Sequence, residues 1–94
     1  RTHTATAEAL AAIADEVLRE CGRRARAGTP VREFEAMRWI QEAFAARHLI
    51  TDHGPNVSFG ANAANPHYEP TAEHSALITT GNVLLIDLWA YPEG

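Results

Sequence analysis

The chain has 94 residues, enough for one small domain or for a piece of a larger one, with little stability to spare in its core. Its 46% hydrophobic and 21% charged residues are the balance of an ordinary globular protein, and a net charge of −4 gives no reason to expect nucleic acid or a membrane as partner. The single cysteine, Cys21, excludes an internal disulfide or a cysteine-based zinc cage; without a signal pattern or a membrane-length apolar run, a cytoplasmic setting is expected.

The first element expected is an amphipathic helix from Thr4 to about Arg26. Leu10, Ile13, Val17, Leu18 and Cys21 recur at helical spacing between charged residues. Many alanines raise its propensity, and Gly28 is placed to stop it. Arg19, Arg23, Arg24 and Arg26 gather at its end, where they complement the helix dipole. Thr29-Pro30 then offers an N-cap and a first-turn proline, which predicts a second helix from Pro30 to about Arg47. Phe34, Met37, Ile40 and Phe44 form its apolar face, while Glu33, Arg38 and Glu42 decorate the rest.

After His48 the pattern changes. Thr51 to Asn56 is turn chemistry, Val57 to Gly60 a short alternating strand, and Ala61 to Thr71 a long loop rich in Asn, Ala and Pro. Ser75 to Ile78 is expected as a strand. Val83 to Trp89 is a stronger one, apolar on both faces and therefore expected at the centre of a sheet. Helices followed by strands make the class α+β, with two N-terminal helices packed on an antiparallel sheet.

Two residues draw attention chemically. Asp87 ends an apolar strand, where a carboxylate is costly unless a cation or strong donors meet it. It reads either as a turn cap or arginine partner, or as a metal ligand that needs further ligands. His67 sits in a loop framed by Pro66 and Pro70, and reads either as a surface histidine or as a donor to an oxyanion. His67-Tyr68-Glu69 is not a zinc-deaminase motif, because no Pro-Cys-x-x-Cys follows. Asp52-His53 and Glu73-His74 read as structural, since neighbours in a strand point to opposite faces. No glycine-rich phosphate loop or nucleophile elbow is present.

Taken in order, Thr51-Asp52-His53-Gly54-Pro55, Ala63-Ala64-Asn65-Pro66-His67-Tyr68, Ser75-Ala76-Leu77-Ile78 and Leu84-Leu85-Ile86-Asp87-Leu88-Trp89-Ala90 resemble the Xaa-Pro aminopeptidase and prolidase branch of the creatinase/methionine aminopeptidase family. Glu33, Glu35 and Trp39-Ile40 are similar to the start of that family's catalytic domain. The resemblance covers essentially the whole chain.

It implies a pita-bread fold, of which residues 1–94 would be the N-terminal half. Asp87 then matches the first aspartate of a metal set of two Asp, one His and two Glu. His67 matches the loop histidine that contacts the substrate carbonyl, with Phe59 and Tyr68 as weaker candidates for pocket walls. The complete enzyme would hold two divalent ions (Mn, Co or Zn) and hydrolyse proline-containing peptides at N-terminal Xaa-Pro bonds. The second aspartate, the metal-binding histidine and both glutamates are missing from this chain. It is therefore expected to be inactive by itself and to bind no metal. The alternatives are a non-enzymatic half-domain that associates, for instance as a homodimer, through an uncovered sheet, and a creatinase-like hydrolase of a small molecule.

Overall fold

The computed structural model describes residues 2–52 and 54–92, with side chains from Ala5 onward. His53, Glu93 and Gly94 lie outside the described residues, as does the side chain of His3.

Helix α1 spans Thr2–Arg26. Ile13, Val17 and Cys21, one turn apart, form its buried stripe, whereas Leu18, expected on that stripe, faces outward. Gly28 ends the helix in the left-handed region (φ +81°). The Thr29 amide donates to the Arg24 carbonyl (2.9 Å) and the Gly28 amide to the Ala25 carbonyl (3.3 Å), the paired bonds of a Schellman motif. The arginine cluster is spent locally: Arg19 pairs with Asp15, Arg23 and Arg24 with Glu20, and Arg24 also lies over the Trp39 ring at 5.4 Å.

Helix α2 spans Glu33–Ala46 and so begins three residues after the expected Pro30. The cause is tertiary. Val31 and Arg32 are extended against the segment around Leu77: the Ile78 amide donates to the Val31 carbonyl (2.8 Å), and Arg32 bridges Leu77. The Glu33 amide donates to the Ala76 carbonyl (2.9 Å) and the Phe34 amide to Ser75 Oγ (2.7 Å). The Glu35 carboxylate accepts from the Arg32 amide (2.9 Å). Amide groups that a helix start leaves without partners are thus met from a distant segment, and a helix beginning at Pro30 would forfeit those bonds. Residues 75–78, expected as a strand, instead form this cap and a single bridge.

The strands are β1 (Leu49–Ile50), β2 (Asn56–Phe59), β3 (Leu84–Asp87) and β4 (Tyr91–Pro92), with a short 3-10 helix over Gly60–Ala64. They form two antiparallel ladders, β1–β4 and β2–β3, rather than one sheet. Helix α2 packs on β1 and β2, and α1 packs on α2 and β4. The core joins Ile13, Val17 and Cys21 of α1 to Met37, Ile40 and Phe44 of α2 and to Leu49, Val57 and Ile78. Burial pushes the Cys21 thiol up to about 11, as befits a packed cysteine rather than a reactive one. Strand β3 is not central: it pairs with β2 alone, Leu84 and Ile86 turn toward the core, and Leu85 remains 49% exposed. Its apolar residues on both faces mark a demand for cover that is met on one face only.

Ile40 is fully buried where the helices and ladders meet. Ile40→Ala is expected to destabilise the fold by about 2–5 kcal/mol, measured as a lowered midpoint in urea unfolding.

Candidate active-site groove

Pairing in the β2–β3 ladder sets Asn56 opposite Asp87, Val57 opposite Ile86, Ser58 opposite Leu85 and Phe59 opposite Leu84. Opposed residues share a face and successive residues alternate. Val57, Phe59, Leu84 and Ile86 therefore face the core, and Asn56, Ser58, Leu85 and Asp87 face the other way. The loop after β2 folds over that second face, so that Ser58 is buried there at 4% exposure despite pointing away from the helices.

Between loop and ladder lies a groove. One part, of about 310 Å³, is lined by Asn56, Pro66, His67, Tyr68, Glu69 and Asp87 among others. The adjoining part, of about 210 Å³, shares Asn56, Pro66 and Asp87 and extends along Ser58 and Leu85. His67 and Asp87, far apart in sequence, thus stand on one cavity. Both are exposed. Among the described residues no arginine pairs with Asp87.

The loop conformation follows from short-range chemistry. Asn65 Oδ1 accepts from the His67 amide (3.0 Å) and the Asn65 carbonyl accepts from the Tyr68 amide (3.1 Å), an Asx-type turn that Asn-Pro favours. The Asn56 side-chain amide donates to the Tyr68 carbonyl (2.7 Å), which ties the loop to the strand carrying the partner of Asp87. Asn56 Oδ1 is buried without a protein partner. Downstream, the Thr71 amide donates to the His74 carbonyl (2.8 Å) and the His74 amide to Thr71 Oγ1 (3.0 Å), closing the loop in a turn. The Glu73-His74 pair is exposed on that turn, and Asp52 accepts from the Tyr91 hydroxyl (2.8 Å) rather than facing the groove.

Behind the groove is Glu33, fully buried at the first turn of α2. Its carboxylate accepts from the Phe59 amide, the Tyr68 hydroxyl, the Ala76 amide (2.8 Å) and the Asn62 side-chain amide (3.2 Å). Four donors offset the desolvation of a buried carboxylate, and the helix N-terminus adds a favourable dipole. Burial, followed by the bond to Glu33, pushes the Tyr68 phenol up to about 12. Its charge assigns Glu33 to the exposed face of α2. It is nevertheless in phase with Met37, Ile40 and Phe44, and that phase was the available signal.

Tyr68 lines the groove, with its hydroxyl turned to Glu33. Phe59 is not brought to His67. It lies on the core face, beside a cleft of about 280 Å³ shared with Leu18, Cys21 and Ile78. Among the described residues no three His, Cys, Asp or Glu side chains gather so as to hold a metal ion. Asp87 offers one carboxylate where a divalent ion takes several donors, so these residues do not by themselves make the expected two-ion centre.

The family described as metallopeptidase family M24, whose enzymes use divalent metals, matches residues 5–94. No match is found among curated proteins. Two helices packed on small antiparallel ladders are consistent with half of a pita-bread domain. With the match running along nearly all of its length, the chain belongs to metallopeptidase family M24.

Proposed function

We propose that this chain is the N-terminal half of the catalytic domain of a cytoplasmic aminopeptidase or dipeptidase that hydrolyses N-terminal Xaa-Pro bonds, and that it is inactive without the remainder. The observation that carries this reading is the meeting of His67 and Asp87 on one groove. In the complete enzyme two divalent ions would activate water and polarise the carbonyl. Within this chain the roles are narrower. Asp87, at the end of a ladder strand, supplies one ligand from a rigid position. His67, on the groove's outer wall, donates a hydrogen bond to the oxygen that gains charge as the peptide bond is attacked. Tyr68 contributes its ring as wall. Specificity for proline after the scissile bond rests on the resemblance of the Asn65-Pro66-His67-Tyr68 loop to that branch of the family.

A second reading, an association module, is favoured by a different observation: Val83, Leu85 and Trp89 are 63%, 49% and 59% exposed around β3. Exposed apolar surface on an edge strand favours association. On that reading the isolated chain is a dimer that Trp89→Ala weakens, seen as a later elution volume in size-exclusion chromatography. On the enzyme reading Trp89→Ala leaves the complete protein's elution unchanged.

Calorimetric titration with manganese or cobalt, on this chain and on the complete protein, tests the enzyme. The complete protein is expected to bind, Asp87→Ala to abolish binding, and His67→Ala to keep it. His67→Ala should lower kcat on proline-containing peptides by about 10²–10³. If neither form binds metal, Asp87 is structural and the enzymatic reading falls.

A further inference from the structure

We infer that Glu33 is a positioning residue of this site: acting through the Tyr68 hydroxyl, it sets where His67 stands on the groove. This rests on the reading of His67 as the oxyanion donor.

The geometry separates what Glu33 does for the fold from what it does for the groove. Its bonds to the Phe59 and Ala76 amides fix the two ends of the intervening segment. The Asn62 side-chain amide adds a tie near the first end. Pro70 is buried, but around His67 the segment is loosely packed: Asn65, Pro66, His67 and Glu69 are all exposed. Burial therefore does not hold His67 in place. Beyond the local turn in which its own amide meets Asn65, its nearest restraints are at the adjacent residue, where the Tyr68 hydroxyl reaches Glu33 and the Tyr68 carbonyl takes the Asn56 amide.

Those restraints act on opposite ends of one residue. The Asn56 contact anchors the backbone to the Asp87 side of the groove, and the Glu33 contact anchors the ring to α2. Together they fix the direction in which the chain enters and leaves His67. The Asx turn at Asn65 orients the peptide locally but moves with the loop. The link to Glu33 joins that turn to the rigid core. With the Tyr68 phenol pushed up to about 12, the hydroxyl keeps its proton at any pH at which a histidine donor would work.

The alternative is that Glu33 is only a structural knot. Glu33→Gln replaces an acceptor oxygen by a donor amide facing donors, a change that disturbs folding and positioning alike. Tyr68→Phe is the sharper probe, because it removes one hydroxyl and keeps the ring. In the complete protein, amide exchange of the peptide spanning residues 65–69 is expected to quicken by about tenfold in Tyr68→Phe, with α2 unchanged. The readout needs no activity, so it decides the positioning claim even if the peptidase reading fails. With activity, Tyr68→Phe should lower kcat by about tenfold at constant KM and metal affinity, and should cost nothing further once His67→Ala is present. Unchanged exchange overturns the inference, as does a loss of kcat that adds fully to that of His67→Ala.

Discussion

A carboxylate buried in a small domain organises this one. Glu33 brings a charge to the inner face of α2, and water cannot solvate it there. It persists because four donors from three separate stretches of chain converge on two oxygens. Those stretches are the end of β2, the loop that follows it, and the segment before β3. Satisfying Glu33 therefore fixes the path of much of the second half of the chain relative to the helices. The same segment that donates the Ala76 amide to Glu33 also receives the Glu33 and Phe34 amides. Side chain and helix start are satisfied from one place, which is why α2 begins where it does.

On this frame the groove divides its labour between a rigid and a mobile-by-sequence element. Asp87 belongs to a paired strand, where register fixes its face. His67 belongs to a loop rich in turn residues, where hydrogen bonds must do what register does in the ladder. Asn56 links the two, being opposite Asp87 in the ladder and bonded to the residue after His67. Sites that combine a strand-borne group with a loop-borne group depend on such links for their separation, and small errors in that separation are costly in catalysis.

Two unmet demands lie on one side of the molecule. Leu85 points away from the helices and is half exposed, and Asp87, on the same face, is a single carboxylate that among the described residues has no others gathered with it as a divalent ion takes. An element covering that face would answer both, by burying apolar surface and by bringing donors.

Much of the architecture was legible locally. The stripe of Ile13, Val17 and Cys21, the glycine stop at Gly28, the stripe of Met37, Ile40 and Phe44, and the alternating strand at Val57 all follow from periodicity and backbone preference within a few residues. So did the singling out of His67 and Asp87, by a proline frame and a carboxylate at an apolar strand's end. Other features were decided between distant residues. The start of α2 depends on Ser75 and Ala76, the pairing of Leu49–Ile50 with Tyr91–Pro92 joins strands too short to read, and Phe59 faces the core because its ladder partner is Leu84. Glu33 is the clearest case: its charge predicts exposure, and its burial is possible only because donors far along the chain arrive to meet it. The sequence by itself determined the helices, the turns and the candidate chemical groups, since these depend on local conformational preference. Only the tertiary structure decided which groups share a face and which charge is buried, because a buried polar group is stable only where non-local partners complete its hydrogen bonds.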